Sequence, residues 1–512
     1  MRPTHATTDI LAGVPGLAHD VVDATAVAHT VARLRERGVV LPRLSWLADP
    51  STMPEALRAS TAGVDPDAAD PRNLFRIHWH NDAVRSGLCD VPGHVVLPKS
   101  LTGVDAPIVV LLGERFPMIG AHKVLAAYGV LVPRLVNGEL DPTNQKALWP
   151  STGNYCRGGV AVSRILGTRG VAILPAGMSQ ERFDWLEHWV ESPDEDIVRT
   201  PGTESNVKEI YDTCARLGAQ PDHVVLNQFA EYGNHLVHWL VTGRAAGRVF
   251  ESVAASRPGL ELFAFVSATG SAGTIAAGDY LKETYGARIG AVEALQCPTL
   301  LENGYGEHQI QGIGDKHVPL VHNAMNTDYV IAVDDRASDA LFALGATEGG
   351  RRYLGDRRGV DPETLAAMES FGFSGWANVL GAIEIARHHR LGPDQAIVTV
   401  ATDGAALYPS ELPRVVRDGF GGRLDDVAAA EAFGRFVLGS AGVLDELDDR
   451  GRRRIFQLGY YTWVEQQGVT FEHFEARRRQ AFWRELRGLV QAWDERIDAV
   501  NAETGALAAL GA

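Results

Sequence analysis

Residues 262–285 read LFAFVSATGSAGTIAAGDYLKETY. Leu262 to Ala268 form a continuous apolar run of strand length, the composition of a strand covered on both faces. From Thr274 to Tyr285 apolar residues recur three and four apart, the spacing of a helix with one buried face. The join between them is Gly270-Ser271-Ala272-Gly273-Thr274. A strand that turns on small residues into a helix is the repeating unit of an α/β fold. Such a turn can also converge backbone N–H groups at a helix N-terminus, and with the hydroxyls of Ser271 and Thr274 it would cradle a phosphate. It fits neither the dinucleotide GxGxxG nor the GxxxxGK[ST] fingerprint. By itself it reads equally well as a tightly packed turn.

Working outward, the same alternation continues. Strand candidates lie at 106–113, 170–176, 223–228, 288–295, 329–334 and 396–402, and a further helical pattern at 378–389. The runs are rich in Val, Ile and Ala and do not alternate with polar residues, which predicts mainly parallel sheets. The ends differ. A helix is expected near 22–37, followed by a Pro/Asp/Ala-rich loop at 60–73, and amphipathic helical patterns dominate 425–510. The charge-dense run FEHFEARRRQAFWRELRGLV (471–490) is expected to be a solvated helix packed on the body or on a second subunit.

The chain has 512 residues, enough for more than one domain. Its 64 acidic and 48 basic residues leave a net charge of −16, which argues against nucleic-acid binding. No basic patch interleaved with aromatics interrupts that balance. The best apolar run, APIVVLLG, suits a buried strand and is too short to span a membrane. Four widely spaced cysteines (Cys89, Cys156, Cys214, Cys297), together with no evident signal peptide, predict a reduced, cytoplasmic protein. No metal site is expected: His78 and His80 in IHWHND do not close a coordination sphere.

Two further stretches carry possible chemistry. STGNYCRGG (151–159) opens a helical pattern, and its hydroxyls and asparagine either recognise a carboxylate or cap the helix. Lys123 stands in FPMIGAHKVLAAYG (116–129). A lysine there either lies along a helix with its head in water or is a partly desolvated amine able to form a Schiff base.

In this order the pieces resemble fold-type II enzymes that use pyridoxal 5′-phosphate (PLP), and most of all the cysteine synthase and cystathionine β-synthase family. The resemblance covers about residues 95–410. It rests on LPKSL (97–101) with IVVLLGERFPMIGAHK (108–123), STGN (151–154) and NQFAEYGNHLVHWLVTG (227–243). It continues in GSAGT (270–274), EHQIQGIGDKHVP (307–319) and FGFSG (371–375). It implies a tryptophan synthase β-like architecture of two α/β lobes. A larger PLP-binding lobe would comprise 96–130 and 246–408, and a smaller one with the asparagine loop 131–245. Helical extensions would occupy 1–95 and 409–512. It implies that Lys123 carries the cofactor and shuttles the Cα proton, and that Asn154 contacts the cofactor's 3′-oxygen. Gly270, Ser271, Ala272, Gly273 and Thr274 would hold the phosphate. Ser151, Thr152, Gly153 and Gln228 would bind the substrate carboxylate, and Gly312 and Gly314 would line the substrate side. The implied reaction is β-elimination or β-replacement on cysteine, O-acetylserine or a similar small amino acid, through an aminoacrylate. A serine/threonine dehydratase or isomerase on the same fold is the alternative enzyme, and a cofactor-less binding protein the alternative outside catalysis. Relatives of this type are usually homodimers.

The sequence departs from the family at three places. Where the family commonly has a Ser facing the pyridine nitrogen, ATDGAALY (401–408) offers Asp403, with Thr402 and Gly404 as competing alignments. A carboxylate there would favour a protonated ring nitrogen. After Asn154 the family's Thr-Gly becomes Tyr155-Cys156, followed by Arg157. After GIG, its small and aromatic residues become Asp315-Lys316-His317.

Overall fold

Two sheets gather the apolar runs. The computed structural model describes residues 11, 13–203, 207–313 and 316–509. In chain order its strands are β1 (His94–Leu97), β2 (Ile108–Leu112), β3 (Lys146–Pro150), β4 (Arg169–Pro175), β5 (Ile197–Thr200) and β6 (His223–Val225). Then come β7 (Glu261–Ala268), β8 (Arg288–Ala294), β9 (Tyr329–Val333), β10 (Gln395–Ala401) and β11 (Gly442–Glu446). The larger sheet has the order β1-β2-β10-β7-β8-β9-β11, and the smaller one β5-β4-β3-β6. The small sheet is parallel throughout. In the large sheet only the outermost strands, β1 and β11, run antiparallel to their neighbours. Central strands such as β2 (IVVLL) and β9 (YVIAV) are buried at every residue, so their continuous apolar composition follows from helices on both faces.

The helices that frame the site are α1 (Ala24–Glu36), α2 (Lys123–Asn137), α3 (Asn154–Leu166), α4 (Gln180–Trp189), α5 (Gly243–Ala255), α6 (Ala276–Tyr285), α7 (Phe373–His388) and α8 (Gly488–Thr504). The divisions expected at 130/131 and 245/246 fall inside α2 and α5, so continuous helices join the two sheets. β1, β3, β5 and β11 lie outside the strand candidates. Each has at most five residues, and KALWP in β3 lacks the β-branched run that marks its neighbours. β11 adds a strand to the otherwise helical C-terminal extension. α7 starts at Phe373, five residues before its expected start at Asn378, because the small residues of FGFSG are already helical.

The extensions clasp each other behind α2. Asn501 on α8 exchanges hydrogen bonds with both backbone groups of Leu41, at 2.9 and 2.8 Å. Asp494 accepts from the N–H groups of Leu44 and Ser45, and Tyr128 on α2 donates to the Pro42 carbonyl at 2.6 Å. The run 471–490 is not one solvated helix. It breaks into Phe471–Ala476 and Gln480–Leu486 before α8, and Phe474, Phe482, Trp483 and Leu486 are buried. Arg477 is buried too, its guanidinium over the rings of Phe456 and Phe474. Each such apolar side chain withdrawn from water contributes about 1.5–3 kcal/mol, which outweighs the solvation the charge density favours. Among the described residues, no helix is long and apolar enough to cross a membrane.

Candidate active site

Three chain segments meet at the carboxyl ends of parallel strands, the usual ligand-binding edge of an open α/β sheet. From β2 the chain runs through Phe116–His122 into α2, whose first residue is Lys123. A β-bridge between Ala121 and Asp403 and a hydrogen bond from His122 N–H to the Thr402 carbonyl (3.1 Å) tie this segment to the end of β10. From β3 the chain turns through Ser151–Gly153 into α3, and from β7 it turns through Gly270–Thr274 towards α6. Between them lies a narrow cavity of about 40 Å³.

Lys123 projects into this cavity. Its Nζ donates to Ser271 Oγ at 2.8 Å and to Gln228 Oε1 at 3.3 Å. Among the described residues no carboxylate is bonded to the amine, and burial pushes its pKa down from 10.5 to about 8. The lysine therefore leads its helix from inside a cavity and is primed as a nucleophile near neutral pH.

The Gly270–Thr274 turn is held by neutral side chains. Asn234 Nδ2 donates to Ser271 Oγ (3.1 Å) and to the Gln228 carbonyl (2.9 Å). A Cβ at Gly273 would sit 2.1 Å from Asn234 Oδ1, so only glycine fits beside it. Ala272 takes a left-handed φ of 58°, which curls the turn's N–H groups towards one point. Thr274 Oγ1 lies 2.7 Å from His122 Nε2. Because His122 Nδ1 faces the Thr402 carbonyl at 3.2 Å, an acceptor only, the proton belongs on Nδ1 and Nε2 accepts from Thr274. Burial, reinforced by the Lys123 charge, takes His122 down to about 3 and keeps it neutral.

The turn into α3 is held by charge. Ser151 Oγ accepts from the Gly153 N–H at 3.0 Å. Asn154 Nδ2 donates to Asp403 Oδ2 at 2.6 Å, and Asn154 Oδ1 accepts from Arg157 Nη1 at 3.1 Å. The Arg157 guanidinium lies over the Trp185 ring, 4.8 Å from its centroid. Arg157 is thus buried and not solvent-facing. Cys156 is a buried thiol donating to the Gly153 carbonyl, its pKa raised to about 12 by burial.

Lys123, Ser151, Thr152, Asn154, Gln228, Gly270, Ser271, Ala272, Thr274 and Gly312 all line the cavity. Gly153 and Gly273 stand just behind the wall, against Arg182 and Asn234. Gly314 and Asp315 lie outside the described residues. Asp403 is fully buried and turned away from the cavity, towards Asn154 and Tyr408. Thr402 lines it instead, with its hydroxyl 2.7 Å from Ser374 Oγ. Side chains alternate at a strand end, so only one of the adjacent pair can face the cavity. His122, Tyr155, Phe229 and Ile313 also line the cavity and were not singled out as site residues by the sequence. His122 had a usable signal, its place next to Lys123. Asn234 and Ser374 lie within stretches that carry the resemblance, but nothing there singled them out, since their partners are distant in sequence.

The profile of the family described as pyridoxal-phosphate dependent enzymes matches residues 97–403. A cysteine synthase of Staphylococcus aureus is 28% identical over 263 residues, covering 51% of this chain and 74% of that protein. A cystathionine beta-synthase of Saccharomyces cerevisiae is 28% identical over 257 residues, 47% of this chain and 48% of that one. Among solved structures, a hydrogen sulfide-producing enzyme of Fusobacterium nucleatum superposes with a TM-score of 0.51 at 22% identity, covering 69% of this chain and 92% of that chain. An O-acetylserine sulfhydrylase of Entamoeba histolytica superposes equally well, with a TM-score of 0.51 at 20% identity over 67% and 94%.

Proposed function

The chain belongs to the pyridoxal-phosphate dependent enzymes, and from that premise we propose that it eliminates or replaces the β-substituent of a small amino acid such as cysteine or O-acetylserine. The observation that carries the reading is a single cavity in which the Lys123 amine stands between the Gly270–Thr274 turn and the Ser151–Asn154 turn.

The residues present suit PLP. Gly270–Thr274 offers small residues, convergent N–H groups and two hydroxyls, as a phosphate requires. Lys123 offers an amine of lowered pKa for the cofactor's aldehyde. When bound, PLP supplies the electron sink that stabilises negative charge at Cα. Lys123 would hold the cofactor and, with its amine of lowered pKa, would take the Cα proton. Gln228 and Ser271, which hold its Nζ, keep it in place for that transfer. Ser151, Thr152 and Gln228 would bind the substrate carboxylate, and Asn154 would help hold the cofactor. Gly312, with a left-handed φ of 91° and no side chain, leaves room for the substrate.

Thr402, backed by Ser374, would face the pyridine nitrogen. A neutral hydroxyl there does not hold a proton on the nitrogen as a carboxylate would. A carboxylate facing the nitrogen would have pointed towards a dehydratase or isomerase, but Asp403 is not in the cavity lining. The finer parts of the proposal are a cytoplasmic location, which rests on the small number and wide spacing of the cysteines in the sequence, and a homodimer, which rests on the resemblance alone. The larger lobe (96–130 with 246–408) is the one proposed to bind PLP, and the smaller (131–245) is the one that carries the asparagine loop.

The test is product analysis with the purified protein and added PLP. L-cysteine alone should yield sulfide, pyruvate and ammonia, or O-acetylserine with sulfide should yield cysteine and acetate. Turnover of L-serine or L-threonine alone, with neither sulfur reaction, would refute the proposal.

A further inference from the structure

We propose that Asp403 is a positioning residue that locks the asparagine loop across the two lobes, reaching bound PLP only through Asn154. The inference rests on the family's cofactor and not on the choice of β-substituent.

Asp403 follows β10 of the larger sheet, whereas Asn154 opens α3 directly after β3 of the smaller one. Their 2.6 Å hydrogen bond therefore joins the two lobes at the cavity rim. It also fixes the amide's orientation. The Asn154 nitrogen must face the Asp403 carboxylate, and its oxygen must face Arg157, which donates at 3.1 Å. One N–H of Asn154 is then left for the cavity.

The rest of the cluster holds Asp403 in turn. Tyr408 O–H donates to the same Oδ2 at 2.7 Å. Arg182, from α4, donates to the Thr152 carbonyl at 3.3 Å and to the Tyr408 oxygen at 3.4 Å, so it ties the loop's Thr152 to the residue that holds Asp403. Gly153 has φ +159°, and a Cβ there would lie 2.6 Å from Arg182 Nε. A Cβ at Gly372 would lie 2.1 Å from Asp403 Oδ1, so the glycine of FGFSG makes room for the carboxylate.

Electrostatics argue for a lock in place of a catalytic contact. Burial is the largest influence and leaves the Asp403 carboxyl raised overall, although the Tyr408 hydrogen bond, Arg182, Asn154 and Arg157 each act to lower it. Arg157 is itself brought down to about 10, by burial and by Arg182. A buried carboxylate between two buried guanidiniums is held where removing it leaves like charges facing each other. That is costly, and it binds the loop to one place.

The test is a double-mutant cycle on PLP affinity, read by fluorescence or absorbance titration of apo-protein, with thermal midpoints measured alongside. Asp403→Ala and Asn154→Ala should each weaken PLP binding by about tenfold or more, the cost of orphaning a buried polar partner. The double variant should be no weaker than Asn154→Ala, because Asp403 acts through that side chain. If Asp403→Ala loses its cooperative thermal transition, Asp403→Asn, which keeps the volume, runs the same cycle. It should then cost about three- to tenfold with Asn154 present and under about twofold without it. Additive losses in the cycle that is read, or unchanged affinity in the Asp403 variant, would overturn the lock. Failure of the unmodified protein to bind PLP at all would instead sink the cofactor reading on which both rest.

Discussion

The two turns that flank Lys123 stand at equivalent points of two sheets, yet they are held by opposite means. Ser151–Asn154 is fixed by buried charges: Asp403, Arg157 and Arg182. Lys123 apart, Gly270–Thr274 is fixed by neutral groups: Asn234, the Ser271 hydroxyl and a neutral His122. A phosphate brings its own charge into a low-dielectric site, so its turn needs donors and room. The asparagine loop comes from the other lobe and, on the proposed reading, takes a small carboxylate substrate. Its position must be held by the protein, and charge-assisted hydrogen bonds hold more strongly than neutral ones. Charge is spent on the joint between lobes and withheld from the seat of the charged ligand.

The largest effect should come from the residue that belongs to neither turn. Lys123→Ala is expected to lower turnover by about a thousandfold, within what a positioned acid–base group contributes. Circular dichroism and thermal melting should stay unchanged, because the side chain is only half-buried; a residual rate above a tenth of the original would remove Lys123 from its role. Next, Gly273→Ala drives a methyl into Asn234 and should weaken PLP binding by about ten- to a hundredfold. If the phosphate turn tolerates that methyl with unchanged affinity, it is not the rigid half of the comparison.

The pH dependence sharpens the contrast further. Only the neutral amine of Lys123 attacks an aldehyde, and its pKa is lowered to about 8. From pH 7 to pH 9 the neutral fraction rises from about a tenth to about nine-tenths, so the rate of PLP capture by apo-protein should rise about tenfold and level off. Stopped-flow absorbance measures it, and a flat profile would contradict the lowered pKa. The smallest effect is expected at neutral contacts. His122→Phe and Thr402→Val should each change PLP affinity or the cofactor spectrum by about three- to tenfold, the worth of one neutral hydrogen bond.

Much of this was legible from residues alone. The strands with continuous Val/Ile runs, the GSAGT turn and the helix after it emerge at their expected places, because local composition decides them. The short strands β1, β3, β5 and β11 were hidden, since four or five residues such as KALWP acquire strand character from the neighbours they pair with. At the site, the turn residues were readable because small residues and hydroxyls cluster in sequence. Asn234, Ser374 and Arg182 were not, as each reaches a partner across the fold. Asp403 and Thr402 were both visible as candidates. Which of them faces the cavity depends on strand-end alternation, which a one-residue shift in alignment inverts.

The central claim is tested most directly by the visible absorption spectrum of the purified protein with PLP, before and after addition of L-cysteine, O-acetylserine or L-serine. A cofactor band that Lys123→Ala abolishes, and that shifts with a sulfur-bearing or acetylated donor but not with L-serine, is the predicted result. No bound-cofactor band in the unmodified protein, or one indifferent to every donor, would contradict it.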